Sequence, residues 1–422
     1  MTVNEIAQFE VEIAELDAKG VGVGWHGKRR VLVPYTIPGE RVLVEPIAET
    51  EKGIDGRGVR LLEASADRVA PRCFHFGQGR CGLCRWQHVD ARVQPLLKQD
   101  AFAEMLSSLG RLHDQRIDAA LRPILPAPEV WGYNHHIMLQ VTQTDEGAAL
   151  GFPNTDGGIA APLLECHTAH PDVWAFYESF DLDPTGLRRV RLARGSDGAL
   201  MATLTLITEE APEIETDTAA SINLILPDNE PMNVIGDSHL RYMLDGASFR
   251  ATAGSFIRPN IGALPGMIRA VIDLLDPRPT ERILDLYAGV GLYSVFIAPR
   301  ASLVTLVESY PPAVTDADAN LAAFDNVDVI EGGVDAVLPA LEGQYAAAVV
   351  DPPGRFGGLT DATVSALVER GVRRLIYVSE EPATLARDCR KLGKAGFQLT
   401  AAQSVDLAPQ TADFEVAARF ER

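Results

Sequence analysis

The sequence predicts an α/β protein in three parts: an OB-like β-barrel, a central α+β region and a carboxyl-terminal Rossmann-like sheet. Three observations lead there. Phe9, Val11 and Ile13 alternate with Glu10 and Glu12, the period-two pattern of a half-buried strand. Cys73, Cys81 and Cys84 crowd into one short stretch. From about residue 251, apolar runs alternate with helical stretches, as buried parallel strands and their crossovers do. The parts are therefore taken as residues 1–62, 63–250 and 251–422.

In the first part, Val31–Val33 and Val42–Val44 supply further strands, while Gly20, Gly22, Gly24, Gly27 and Pro38–Gly39 mark turns. Five-stranded barrels of this size often bind oligonucleotides. The glycine spacing followed by the Pro-Gly-Glu turn resembles the TRAM domain, an RNA-binding barrel found on RNA-modifying enzymes. The middle part opens with the cysteines, continues into a helix near 92–110, and then shows β character at 137–142, 200–207 and 221–226. The last part has apolar runs at 282–287, 303–308, 345–351 and 374–379, followed by 397–405 and 414–420.

With 422 residues the chain can bury several cores, and 46% apolar and 23% charged residues are ordinary globular values. No basic segment leading into an apolar run opens the sequence and no stretch is long and apolar enough to span a bilayer, so a cytoplasmic, membrane-free protein is expected. A net charge of −20 weighs against nucleic-acid binding, yet cations gather locally. Arg188, Arg189, Arg191 and Arg194 form one basic segment; Arg370, Arg373 and Arg374, with Arg387, Arg390, Lys391 and Lys394, form another. Their alternative reading is as solvated faces. Five cysteines are too few for a disulfide scaffold.

Ligands of open α/β sheets bind beyond the carboxyl ends of the strands. The first run of the last part ends in Asp-Leu-Tyr-Ala-Gly-Val-Gly, where Gly289 and Gly291 permit a tight turn and a close backbone approach. Glu308 ends the next run, at the spacing where a carboxylate accepts hydrogen bonds from ribose hydroxyls. Asp351-Pro352-Pro353-Gly354 follows the third, over the same crevice, and resembles the catalytic loop of class I S-adenosylmethionine methyltransferases. Cys73, Cys81 and Cys84, with the distant Cys166, can hold a four-iron cluster or a structural zinc. His75, His88 and His167 are further zinc ligands on offer.

Together the cysteine pattern, DLYAGVGLYSV, VVDPP, YVS followed by PATLARD, and the terminal PQT with Glu415 resemble the iron–sulfur tRNA and rRNA uracil-5-methyltransferases over essentially the whole chain. The resemblance implies an RNA substrate, S-adenosylmethionine as methyl donor, and a [4Fe-4S] cluster on Cys73, Cys81, Cys84 and Cys166. It implies donor contacts at Tyr287, Gly289, Gly291, Leu292, Glu308 and Asp351, a general base at Glu415, and a monomer.

Departures from the family pattern fall at the chemistry. Glu380 stands where the family motif carries its nucleophilic cysteine, and Arg258 stands where a cofactor-contacting glutamine is usual. Tyr133-Asn134-His135-His136 replaces a basic segment, and Asp413 a usual histidine. A thiolate activates uracil C5 by adding to C6, and a carboxylate attacks that carbon far less well. Cys389 reads as a small core residue. Three functions are thus open: an RNA methyltransferase with altered chemistry and Glu380 or Glu415 as base; an inactive protein binding RNA and S-adenosylmethionine; and a metal-centred redox or structural protein.

Overall fold

The computed structural model describes residues 8–422 except 52, 146, 161, 211, 213, 217, 355 and 356. The first residues of the segment scanned for a secretory leader lie outside the described ones.

Strands β1 (Phe9–Leu16), β2 (Gly22–His26), β3 (Arg29–Val33), β4 (Arg41–Thr50) and β5 (Gly53–Glu63) close into a barrel in the order β1-β2-β3-β5-β4. The alternation in β1 is realised: Val11 and Ile13 join Val31, Val33, Val42, Val44 and Ile54 inside, while Glu10 and Glu12 face out. Gly24 is required by close packing, since a Cβ there would run into the Glu12 carbonyl.

Helices α1 (Gln94–Ser108) and α2 (Asp114–Ala120) and strand β6 (Leu121–Leu125) follow. The central sheet uses β7 (His136–Thr144), β8 (Gly147–Pro153), β9 (Ile159–Ala160), β11 (Leu187–Arg194), β12 (Leu200–Leu206), β14 (Ser221–Ile225) and β15 (Pro231–Ile235). Their order is β15-β14-β12-β11-β7-β8-β9. One face, carrying Leu139, Val190, Leu192, Ala202 and Leu204, packs on helix α3 (Pro171–Ser179) through Val173 and Phe176. Two short strands, β10 (Phe180–Leu182) and β13 (Ile214–Thr216), pair beside it. Hairpin β16 (His239–Leu244) and β17 (Ala247–Thr252) leads into the last part.

There, helix α4 (Leu264–Leu275) precedes β18 (Arg282–Leu286), α5 (Ser294–Ile297), β19 (Leu303–Glu308), α6 (Pro311–Leu321), β20 (Val327–Glu331), α7 (Val334–Ala340), β21 (Ala347–Val350), α8 (Asp361–Glu369), β22 (Arg374–Ser379), α9 (Pro382–Lys394), β23 (Gln398–Val405) and β24 (Glu415–Glu421). The eight-stranded sheet runs β20-β19-β18-β21-β22-β24-β23-β6. Strands β18 to β22 are parallel, as expected of short, wholly apolar runs between helices.

Two features differ from the sequence expectation. β24 is antiparallel to both neighbours, because it returns from β23 and inserts between β23 and β22. Periodicity cannot reveal direction. In addition, β6, α1 and α2, all within the stretch taken as the central part, belong to this last sheet: β6 pairs with β23, and α1 contributes Phe102 and Leu106 to its core.

The turn between β23 and β24 is held from several sides. Lys98 on α1, wholly buried, ion-pairs with Asp406 at 2.7 Å and donates to the Ala408 carbonyl. The Gln94 side chain exchanges hydrogen bonds with Gln410, Tyr133 Oη donates to Pro409 O at 2.7 Å, and Asn260 donates to Leu407 O at 3.0 Å. Removing one member of a buried pair strands the other charge, which costs about 3–5 kcal/mol. Lys98→Met is therefore expected to lower unfolding stability by about that much in urea titration, and Lys98→Met with Asp406→Leu to recover most of it.

Candidate active site

The sheet order reverses between β18 and β21, since their chain successors lie on opposite sides; the crevice beyond such a switch point is the ligand site of open α/β sheets. Tyr287, Glu308 and Asp351 all emerge there, directly after β18, at the end of β19 and directly after β21. The antiparallel β24 begins where its parallel neighbours end, so Glu415 arrives at the same rim.

Arg258 ties these groups together. Its Nε donates to Glu415 at 2.6 Å and its terminal nitrogen to both oxygens of Asp351 at 3.2 and 2.9 Å. All three side chains are largely buried. Arg258 is itself positioned from below. Asp316 on α6, fully buried, accepts from Arg250 Nε, Thr252 N, Thr252 Oγ1 and Ser255 Oγ at 2.5–2.8 Å. That fastens the segment leading to Arg258 against the sheet. Burial pushes Glu415 up to about 7, with the Asp351 and Glu380 carboxylates adding and Arg258 opposing.

The glycine loop is set by Glu308, whose carboxylate accepts from Gly289 N at 2.8 Å and from Ser309 N and Tyr310 N at 2.7 and 2.8 Å. Gly289 has φ of +55° with open space where a side chain would project, which leaves room for a ligand against the backbone. Gly291, at φ +80°, instead closes on Leu321 of α6. Tyr287 holds a left-handed φ of +60°, a conformation that costs a non-glycine residue free energy and clusters at ligand sites. The Leu292 side chain packs in the core, so only its backbone faces the loop.

Glu380 is exposed and its Oε1 accepts from Gly354 N at 3.1 Å, closing the strand-end turn after β22 onto the Asp-Pro-Pro loop. No thiol shares this rim. Cys389 is a core residue of α9 whose thiol is pushed up to about 12 by burial.

One participant was missed at the sequence level. Asp285, fully buried beneath the loop, accepts from Ser294 Oγ at 2.6 Å, while its other oxygen and the buried Tyr293 hydroxyl have no partner. Its apolar strand setting hid it, although an acid one residue before the end of a mostly apolar strand is a usable signal.

The remaining cysteines meet elsewhere. Cys73, Cys81, Cys84 and Cys166 line one small hollow of about 20 Å³, together with His75, Glu165 and His167. The segment bearing Cys166 is stitched to the first three by Phe74 N donating to Glu165 and Leu164 N donating to His75 Nε2 at 2.9 Å. None is in a disulfide. Burial pushes Cys73 up to about 11 and Cys84 up to about 12. Among the described residues, no three His, Cys, Asp or Glu side chains are arranged to hold a metal ion. His88 lies apart, stacked near Tyr35 and Phe76. Of the first basic segment, Arg191 is consumed by the carbonyls of Ala253 and Ser255, and Arg194 by Asp172 at 2.7 Å; Arg188 and Arg189 stay exposed.

Asp285 gives the site a pH signature. Burial pushes its carboxyl up to about 7, above its unfolded value. Its protonated form therefore adds stability below the ordinary carboxylate range, and that contribution is lost as pH rises through about 7. Between those limits the native state binds more protons than the unfolded one, so stability falls with rising pH. Asp285→Asn is expected to flatten this slope by up to one proton, about 1.4 kcal/mol per pH unit, in urea titrations between about pH 5 and 7.

No family model matches the chain. It is 32% identical to an uncharacterized RNA methyltransferase of Streptomyces avermitilis, across 98% of each chain. It is 30% identical to the 23S rRNA (uracil(1939)-C(5))-methyltransferase RlmD of Alkalilimnicola ehrlichii, across 98% of this chain and 96% of that one. The crystal structure of the Pyrococcus abyssi tRNA (uracil-54, C5)-methyltransferase in complex with S-adenosyl-L-homocysteine superposes with a TM-score of 0.72 at 21% identity, covering 98% of this chain and all of that one. With such identity spread over nearly its full length, on a sheet that gathers an acid-rimmed crevice at its switch point, the chain belongs to the S-adenosylmethionine-dependent RNA uracil-C5 methyltransferase family.

Proposed function

We propose that the chain methylates RNA in the crevice beyond β18 and β21, by a route that uses no cysteine nucleophile. The observation that carries this reading is the convergence of Glu308, Asp351, Arg258 and Glu415 on one rim, with Glu380 beside them. The pocket fits S-adenosylmethionine: Gly289 leaves a bare backbone cradle, and Asp285 and Tyr293 hold unpaired polar atoms beneath it. When bound, S-adenosylmethionine supplies a methyl group made electrophilic by the adjacent sulfonium. Glu308 would hold the ribose hydroxyls with lone pairs its backbone contacts leave free. Asp351 would face the positive sulfur. Tyr287, Gly291 and the Leu292 backbone would complete the wall, with Arg258 keeping Asp351 in place.

Glu415 is the base of this reading. A carboxyl near 7 sits at the optimum for accepting a proton at neutral pH, and Oε1 is left free while Oε2 is held by Arg258. Glu380 replaces the nucleophile the family resemblance puts at this position. Its hydrogen bond to Gly354 N makes it a clasp on the Asp-Pro-Pro loop. The altered route follows: either uracil C5 is activated without a thiolate adduct, or the methyl goes to a heteroatom that needs none. The barrel and the exposed Arg188 and Arg189 would meet the RNA, and the RNA-modifying work of the family supports a cytoplasmic location.

One observation favours a second reading, an inactive protein that binds RNA and S-adenosylmethionine. Arg258 already neutralises both carboxylates of the rim, and no thiol is present to replace the lost attack. Nucleoside mass spectrometry of tRNA and 23S rRNA from cells with and without the gene decides between them. The first reading expects a methylated nucleoside to vanish with the gene, and Glu415→Gln to lower its formation about 10²–10⁴-fold without weakening S-adenosylhomocysteine binding in calorimetry. An unchanged nucleoside profile with intact binding selects the second.

The four cysteines support a [4Fe-4S] cluster. Cys73, Cys81, Cys84 and Cys166 line one hollow, a four-thiol set that a [4Fe-4S] cluster or a zinc ion takes, and the family resemblance favours the cluster. Iron would convert four crowded, desolvated thiols into thiolate ligands. Anaerobically purified protein is expected to be brown and to contain about four iron and four sulfide per chain. Stoichiometric zinc without iron would reassign the site.

A further inference from the structure

Arg373 and Arg374 of the second basic segment line a groove on the far side of the sheet, at the amino-terminal ends of β18 and β22 and before β21. Five residues of β18, at roughly 3.3 Å each, separate it from the glycine loop by about 17 Å. The groove is open to solvent, has a volume of about 930 Å³ and is lined by Arg282, Arg373, Arg374 and Arg422, with Glu281, Glu421 and Tyr345 among them.

Both carboxylates are already engaged. Glu281 pairs with Arg374 at 2.5 Å, and Glu421 with Arg419. Three guanidinium groups are left without a carboxylate. Arg282 lies over the Tyr345 ring at 4.9 Å, its edge held 3.5 Å from the Tyr345 hydroxyl, which fixes the plane of the group. Arg373 and Arg422 are exposed, and their side chains have no hydrogen-bond or ion-pair partner among the described residues. The Nε atoms of Arg282 and Arg374 are buried and unpaired, a state that costs free energy unless a ligand or water supplies an acceptor. Arg422 also lies against Gly396, beside the basic last turn of α9 with Lys391 and Lys394. On a chain of net charge −20, cations crowded on one patch and left unneutralised repel one another unless an anion joins them.

We propose that this groove is a second binding site, for phosphate groups, borne either by RNA backbone running beyond the modified nucleotide or by a free nucleotide or pyrophosphate. Fixed, planar guanidinium forks match phosphate oxygens pairwise, which a scattered set of lysines would not do. The RNA form of the site rests on the functional reading above; the free-phosphate form does not.

The full chain is titrated with a single-stranded RNA oligonucleotide and, separately, with inorganic pyrophosphate, across a range of salt. The comparison variant is Arg373→Glu with Arg422→Glu, both exposed and remote from the methyl-donor crevice. S-adenosylhomocysteine calorimetry reports whether that crevice is intact. The expected result is oligonucleotide binding about tenfold weaker in the variant. The slope of log affinity against log salt should also be shallower by about 1.4, at about 0.7 per lost phosphate contact. S-adenosylhomocysteine affinity should not change. Pyrophosphate binding that the variant weakens, with oligonucleotide binding unmoved, supports the free-phosphate form. Wild-type and variant binding both ligands equally, or neither ligand binding wild-type protein, overturns the site. Loss of S-adenosylhomocysteine binding in wild-type protein would instead strike the functional reading and leave the groove to be judged on pyrophosphate.

Discussion

The active-site rim is organised by one buried ion network, Arg258 between Asp351 and Glu415. Its members come from the segment after β17, the end of β21 and the start of β24, so a single guanidinium fixes the relative placement of three distant stretches of chain. Two carboxylates this close would otherwise repel in a medium that screens poorly, and neither could remain ionised at little cost. Arg258 removes that conflict, and Asp316 sets where Arg258 stands. The group that stabilises the rim also competes with anything that would approach Asp351 or Glu415.

Topology explains why such a network can form at all. Parallel strands deliver their carboxyl ends to one rim, and the reversal between β18 and β21 opens a crevice there. An additional parallel strand would have brought its final residue to that rim. The antiparallel β24 brings its first, Glu415, straight from a turn pinned by Lys98, Gln94, Tyr133 and Asn260. Helix α1, contributed from before the central sheet, thereby becomes part of what places Glu415.

The protein thus carries three distinct polar sites with three solutions to burying polar groups. The crevice pairs its charges. In the cysteine hollow, burial pushes the Cys73 and Cys84 thiols up, which favours their neutral form. The groove at the opposite end of the sheet leaves buried guanidinium nitrogens without acceptors.

Much of this was legible without coordinates. Alternation in β1 and the apolar runs from 282 onward carry their own burial pattern, since side chains point to alternate faces of a strand and a doubly covered strand must be apolar throughout. Glycines at 289 and 291, acids at strand ends and clustered cysteines are local signals, so Glu308, Asp351, Glu415 and the four cysteines could be named from spacing and family resemblance. What spacing could not convey is which neighbour each group would have. The direction of β24, the recruitment of β6 and α1, the burial of Asp285, the capture of Arg191 by backbone carbonyls and the grip of Arg258 on two acids all join residues far apart in sequence. Such pairings depend on how elements stack, which periodicity does not encode. The sequence by itself determined the fold class and the chemistry on offer; only the tertiary structure decided which charges meet, because that depends on distances set by packing.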